Sequence, residues 1–129
     1  MKEFLEYAES HAEDILGTLR HIVEMESFTA DKASTDALGG FIKERFEELG
    51  AQVRLVPQEE VGDHLVAEVG GGDQQVLLLC HMDTVWPTGT IQQRPFRVEA
   101  GLAYGPGILD MKAGIAIAMH ALETLRAHN

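Results

Sequence analysis

The chain has 129 residues, of which 45% are hydrophobic and 24% charged, a composition typical of one compact globular domain. Lys and Arg total 10 against 21 Asp and Glu, which gives a net charge of −11. This acidity, without any cluster of basic residues, argues against nucleic acid and against an anionic membrane surface as partners.

The cysteine content and the amino-terminal segment bear on the compartment. Cys80 is the only cysteine, so a disulfide within the chain is excluded and a reducing compartment is favoured. The first 25 residues are charged and amphipathic, without the continuous apolar core of a signal peptide. No apolar run approaches the ~20 residues of a membrane span. We therefore expect a cytoplasmic protein, and leave open whether a leader was removed.

Two helices are predicted first. Residues 2–26 carry apolar side chains at helical spacing, and a capping box of Ser10 with Glu13 predicts a break near Ser10. A second amphipathic helix is predicted over residues 34–49. Gly50 follows it, in the position where glycine commonly ends a helix.

Extended segments and a last helix follow. Residues 51–57 and 64–69 alternate apolar and polar side chains, as half-buried strands do. The apolar run at residues 75–80 predicts a central strand covered on both faces. A hairpin is predicted around Ala100 and Gly101, and a helix of small and apolar residues over 110–129. Together these elements predict an α/β fold, with helices packed on a mixed β-sheet in one domain.

His81 and Asp83 lie where the predicted central strand ends. Ligand sites of open α/β sheets collect beyond the carboxyl ends of the strands, and a neutral imidazole is a good zinc ligand. Residues two apart in extended backbone point to the same side, so Asp83 could orient His81 and fix its tautomer. A plain structural His–Asp pair is the alternative reading.

Asp110 is the second candidate carboxylate. It follows the turn "YGPGIL", in which Gly105 and Gly107 permit an unusual backbone path, and it precedes the last predicted helix. The structural alternative is that Asp110 only caps that helix, because carboxylates at a helix start accept backbone hydrogen bonds.

A family resemblance rests on the stretch "LLLCHMDTVWPTGTIQQRPFRVEAGLAYGPGILDMKAG". It contains His-x-Asp after an apolar strand, then Gly-x-Gly-x-x-Asp-x-Lys-x-Gly before a helix. It resembles the co-catalytic zinc exopeptidases of the aminoacylase and glutamate carboxypeptidase type, and is most similar to the bacterial glutamate carboxypeptidases. The deacylases of arginine and lysine biosynthesis more often carry Arg where Pro106 stands.

The resemblance implies roles for individual residues. His81 matches a terminal ligand of one zinc ion, and Asp110 matches the carboxylate that bridges two. Asp83 matches the acid beside the histidine, and we predict it to serve catalysis through that position. The resemblance also implies two Zn²⁺ per complete site and a non-proline cis peptide between Asp110 and Met111.

Other parts of the family's site are not recognised in this sequence. The family's general base lies in a Glu-Glu pair after a later strand, whereas the two such pairs here, Glu47-Glu48 and Glu59-Glu60, precede His81. We therefore expect residues 1–129 to be the amino-terminal portion of a metallopeptidase catalytic domain, without its remainder and without the dimerisation and lid domain. This portion is expected to be inactive by itself.

The resemblance implies a parent that hydrolyses amide bonds of a peptide or N-acyl amino acid, as a carboxypeptidase releasing C-terminal glutamate. A deacylase of N-acyl amino acids from the same family is one alternative. A non-catalytic module that associates through an open sheet edge, forming a homo-oligomer or pairing with another chain, is the other.

Overall fold

The computed structural model describes residues 2–128. Met1 and Asn129, at the two ends of the predicted domain, lie outside the described residues, and Asn129 is also the last residue of the final predicted helix. The described part is about half helical. Its elements in chain order are α1 (Lys2–Ser10), α2 (Ala12–Glu24), α3 (Lys32–Glu48), β1 (Gln52–Val56), β2 (His64–Glu68), α4 (Thr90–Gln93), β3 (Arg97–Glu99), β4 (Leu102–Tyr104) and α5 (Ala113–Ala127).

The first predicted helix is broken near Ser10, as expected, but not by a capping box. The hydroxyl of Ser10 donates a hydrogen bond of 2.8 Å back to the carbonyl of Tyr7. His11 takes the position before α2 and its side chain caps no backbone N–H. The Ser10–Glu13 capping box is therefore wrong, because the Ser10 hydroxyl is engaged in α1.

Helix α3 begins two residues earlier than predicted. Asp31 caps it, since its carboxylate accepts a hydrogen bond of 3.2 Å from the backbone N–H of Ser34. At the other end, Gly50 has a φ of +84°, a conformation that glycine adopts without steric cost. The predicted stop at Gly50 is confirmed.

The mixed helix and strand class is confirmed, and the strands form two small antiparallel sheets. Strand β1 pairs with β2, with Gln52 opposite Glu68 and Val56 opposite His64. Strand β3 pairs with β4, and the turn between them has positive φ at both Ala100 and Gly101. Positive φ at both turn residues gives the backbone twist that a tight hairpin favours, so the predicted hairpin is confirmed.

The prediction of a buried central strand at residues 75–80 is wrong. The segment pairs with no strand among the described residues, and Val76 and Leu79 are 85% and 83% exposed. A strand requires hydrogen-bonding neighbours, and a run of apolar residues supplies none of its own. The apolar pattern indicates that this segment tends to be buried in a strand, but no strand among the described residues pairs with it.

Helices α2, α3 and α5 enclose the main core. Ile22, Leu38 and Met119, one from each helix, are completely buried. Strands β1 and β2 pack against α3, which covers one side of the core. No helix within residues 2–128 is both long and apolar enough to cross a membrane.

Candidate metal centre

The loop after α2 holds the segment that carries His81. Thr84 pairs with Phe28 in a short parallel bridge. The backbone N–H of Thr84 donates to the carbonyl of Ser27 at 2.7 Å, and the N–H of Thr29 donates to the carbonyl of Thr84 at 2.9 Å. The hydroxyl of Ser27 adds a bond of 2.7 Å to the carbonyl of Met82. These bonds fix the path of the chain immediately beyond His81.

Asp83 lies beside His81, as the spacing predicted. Its carboxylate oxygen Oδ1 is 3.3 Å from Nδ1 of His81, and its backbone carbonyl is 3.1 Å from the same nitrogen. The other carboxylate oxygen accepts a bond of 2.6 Å from the Thr29 hydroxyl. Asp83 is thus held from one side and faces the imidazole on the other.

Asp110 lies in a wide turn, Ile108–Lys112, that leads into α5. Gly107 begins this turn with a φ of +74°, and any Cβ there would collide with the side chain of Thr84. The peptide between Asp110 and Met111 is cis, as the resemblance implied. Lys112, not Asp110, precedes α5, and its side chain makes no capping hydrogen bond. The helix-cap alternative for Asp110 is therefore wrong.

The structure brings His81 and Asp110 together. Nε2 of His81 is 2.8 Å from Oδ1 of Asp110, across 29 positions of sequence. This hydrogen bond to Asp110 is the main reason that the pKa of His81 lies above its usual 6.5, and the Asp83 carbonyl and carboxylate act in the same direction. Both ring nitrogens face oxygen atoms, whereas a neutral imidazole has only one N–H to donate. A second proton or a cation at Nε2 satisfies that arrangement.

His81, Asp83 and Asp110 open onto a depression of about 260 Å³. The side chains of His81 and Asp110 are 45% and 85% exposed, so solvent and ions reach both. The wall of the depression also includes Thr29, Thr84, Val85, Trp86, Gly105, Gly107, Ile108 and Leu109.

Two further residues near the site escaped the sequence reasoning. Lys112 is 1% exposed, and its ammonium donates a hydrogen bond of 2.8 Å to the carbonyl of Met25. Burial lowers the pKa of Lys112 to about 8, opposed in part by the charge of Glu26. The Glu26 carboxylate accepts bonds from the backbone N–H groups of Gly89 and Ile91, at 2.8 and 3.0 Å. No local pattern marks either role, because both depend on contacts between distant segments.

The donor chemistry at this site fits zinc in part. Imidazole nitrogen and carboxylate oxygen are common zinc ligands, and the pair has an acceptor, Asp83, on the far side of the imidazole. Within residues 2–128, however, no group of three or more His, Cys, Asp or Glu side chains is arranged to hold a metal ion. His81 and Asp110 therefore provide two donors of a site that needs about four ligands per ion.

Comparison with known proteins finds a family match for the stretch that carries this geometry. The sequence model of the peptidase family M20/M25/M40 matches residues 77–129, the stretch that contains His81, Asp83 and Asp110. The match confirms the resemblance to the zinc exopeptidases. Carboxypeptidase G2 of Pseudomonas sp. (strain RS-16) is 38% identical over 88% of this chain, and acetylornithine deacetylase of Proteus mirabilis is 32% identical over 82%.

The chain spans only part of these M20-type relatives. It covers 28% of the carboxypeptidase and 30% of the deacetylase. The structure of human carnosine dipeptidase 1 superimposes with a TM-score of 0.86 over 98% of this chain and 31% of that one, at 21% identity. At this identity the likeness shows a shared fold alone.

Proposed function

We propose that this chain forms part of a metallohydrolase that cleaves amide bonds, with His81 and Asp110 as metal ligands. One observation carries the proposal. Nε2 of His81 and Oδ1 of Asp110 converge at 2.8 Å within the stretch that matches the M20/M25/M40 family. The predicted ligands thus share one position, reachable from solvent, although they come from separate loops.

Asp83 has the role of orienting His81. By accepting a hydrogen bond from Nδ1–H, it selects the tautomer whose Nε2 lone pair points toward Asp110. Thr29 holds Asp83 in turn. When bound, a pair of zinc ions supplies a water activated near neutral pH and polarises the substrate carbonyl. The chain's own contribution is to present one nitrogen and one carboxylate, to hold the imidazole, and to exchange a proton for the metal.

For the substrate, we propose a peptide from which C-terminal glutamate is released. The identity to carboxypeptidase G2, with Pro106 in the turn before Asp110, supports this choice. An N-acyl amino acid deacylase is the alternative, since an acetylornithine deacetylase and succinyl-diaminopimelate desuccinylases are also similar. We further propose that residues 1–129 are the amino-terminal portion of the catalytic domain, inactive alone. Cytoplasmic location and homo-oligomerisation stay predictions.

Metal binding by the 129-residue chain tests the site directly. We expect weak zinc binding by isothermal titration, because two donors leave the ion largely hydrated, and we expect a proton to be released on binding. His81→Ala and Asp110→Asn should each reduce the affinity at least tenfold. His64→Ala and Asp73→Asn change the same residue types at exposed positions outside the site and should leave it unchanged. Equal zinc affinity in the parent chain and all four variants would contradict the assignment of His81 and Asp110 as metal ligands.

The reaction is tested on the complete encoded protein loaded with zinc. A peptide ending in glutamate, acetylornithine and succinyl-diaminopimelate are compared by kcat/KM. Faster release of glutamate supports the carboxypeptidase, and preference for either acylated compound supports the deacylase. Hydrolysis of none of the three, with zinc bound, contradicts the amide hydrolase proposal.

A second candidate, association through the exposed segment Val76–Leu79, is favoured by its four large apolar side chains, each at least 62% exposed. Such a segment can pair with a second strand. Sedimentation at several concentrations distinguishes this candidate. Self-association that Leu77→Lys abolishes supports it, and a monomer at every concentration refutes self-pairing.

A further inference from the structure

A second depression, of about 240 Å³, adjoins the metal centre. The two depressions share four residues of their walls and therefore adjoin one another. The shared residues are Trp86, Gly105, Ile108 and Leu109. Arg94, Arg97 and Tyr104 line only the second depression, which we call the arginine depression.

Both arginines of the arginine depression are stacked on aromatic rings. The guanidinium carbon of Arg94 lies 4.7 Å from the ring centroid of Trp86, and that of Arg97 lies 4.3 Å from the centroid of Tyr104. Stacking favours one orientation of the guanidinium plane and leaves its edge N–H groups able to donate. Those N–H groups match the two oxygens of a carboxylate.

The charge distribution sets these two residues apart. Arg94 and Arg97 are the only Lys or Arg between Arg54 and Lys112, in a chain of net charge −11. Among residues 2–128, Lys32, Lys43 and Arg45 each contact carboxylates at 2.9 Å or less. In the same range Arg94 has no carboxylate within 4 Å, and Arg97 meets only Glu99, at 3.5 Å through Nε. The charges of Arg94 and Arg97 are thus little neutralised by neighbouring carboxylates.

We propose that the arginine depression binds a carboxylate of the substrate while the scissile amide lies at the metal centre. This inference rests on the proposed function and deepens it, because it names the residues that recognise an acidic substrate. The same two charges disfavour a substrate with a cationic side chain, since like charges repel across the depression. Arg94 and Arg97 are then specificity-determining residues, distinct from the metal ligands.

Trp86 is the only tryptophan and lines both depressions, so its fluorescence reports binding in either one, and the arginine variants identify which. We titrate the 129-residue chain with N-acetylglutamate in EDTA, which removes zinc from the measurement. We expect a saturable change in emission that weakens as salt is added. Arg94→Gln and Arg97→Gln should each raise the apparent Kd about two- to fivefold, the range for exposed charge pairs. Arg54→Gln, the same change on the exposed face of β1, should leave it unchanged.

Two further ligands identify which carboxylate is bound. N-acetylglutamine retains only the α-carboxylate, and N-acetylisoglutamine retains only the side-chain carboxylate. The ligand that keeps the arginine dependence identifies the recognised group. Circular dichroism shows whether each variant is folded. The NMR shift of the arginine Nε–H groups serves as a second readout beside fluorescence.

The outcomes separate this inference from the proposed function. If neither readout shows saturable binding of N-acetylglutamate, the arginine depression is not a carboxylate site. The same conclusion follows if Arg94→Gln and Arg97→Gln both bind N-acetylglutamate as tightly as the parent chain does. The zinc titration of His81 and Asp110 variants is unaffected by that failure. Conversely, arginine-dependent binding in EDTA supports the depression even if the complete protein hydrolyses no amide.

Discussion

The helical layer and the site rim differ in how the sequence holds them in place. We define the helical layer as α2, α3 and α5, where Ile22, Leu38 and Met119 are fully buried. The site rim comprises residues 76–86 and 105–110, where Leu109 is 94% exposed. Packing stabilises the layer, whereas backbone hydrogen bonds and glycine turns shape the rim. The comparison indicates that fold stability and site chemistry reside in separable parts of the chain.

The largest contrast should come from one substitution made in both regions. Leu38→Ala in the layer should lower the free energy of unfolding by about 3 kcal/mol, since burial is lost and a cavity remains. Leu79→Ala in the rim, where the side chain is 83% exposed, should change it by less than about 0.5 kcal/mol. Urea denaturation of both variants measures the difference. Equal changes in the free energy of unfolding for Leu38→Ala and Leu79→Ala would contradict the view that packing stabilises the helical layer but not the site rim.

Lys112 lies between the site rim and α5 along the chain, and its burial should make stability depend on pH. Burial lowers its pKa to about 8 from an ordinary 10.5, so between these pH values the unfolded chain binds more protons than the folded chain. Stability should therefore rise from pH 8 to pH 10.5, by up to about 3 kcal/mol from this group. Lys112→Met should remove that rise, and Lys43→Met, at an exposed ion pair, should retain it. Identical pH profiles in the two variants would contradict this account.

Two glycines sharpen the comparison at a smaller scale. Gly107→Ala should cost about 2 kcal/mol, because φ is +74° and the new Cβ would collide with Thr84. Gly17→Ala, within α2 and with nothing within 4 Å of the new Cβ, should stabilise the chain by roughly 0.5–1 kcal/mol. Thermal unfolding gives both values. A neutral Gly107→Ala would mean that the rim turn is not fixed as described.

The smallest effect concerns the protonation of His81. Its pKa is raised chiefly by Asp110, so its favourable contribution is present below pH 6.5 and is lost as pH rises through the raised value. Asp110→Asn should bring the NMR-measured pKa of His81 back toward 6.5. Asp73→Asn, in an exposed loop, serves as the control and should leave that pKa unchanged. If the pKa of His81 is unchanged in Asp110→Asn, the side chains of His81 and Asp110 are not in contact in solution.

Local patterns predicted most of the fold. Helices α1, α2, α3 and α5, the strands β1 and β2, and the turn at Ala100 and Gly101 follow from periodicity and from residues with particular backbone preferences, whereas the short helix α4 was not predicted. The prediction of a strand at residues 75–80 was wrong because a hydrophobic run indicates only a tendency to be buried, whereas a strand also needs a neighbouring strand to hydrogen-bond with. The capping box predicted for Ser10 and Glu13 was wrong because the Ser10 hydroxyl donates to a carbonyl in the preceding helical turn.

The candidate site was predictable only in part. The positions of His81, Asp83 and Asp110 followed from motif spacing, and the structure brings them together, although their role as metal-site residues stays a prediction. The burial of Lys112 and the backbone bonds of Glu26 could not be predicted, since they join segments more than 60 positions apart. Arg94 and Arg97 showed no motif, because their shared depression exists only after β3, β4 and the Trp86 loop have folded together.

The bonds between residues 27–29 and 82–84 have a consequence for local motion. They tie chain segments 55 positions apart, and both Asp83 and the backbone beyond His81 depend on them. If this link opens, the amide hydrogens of Thr29 and Thr84 become exchangeable with solvent in one event, and the imidazole loses its orienting carboxylate in that event too. Metal affinity would then track the lifetime of the closed link, and any ligand that lengthens it would tighten the metal without touching it.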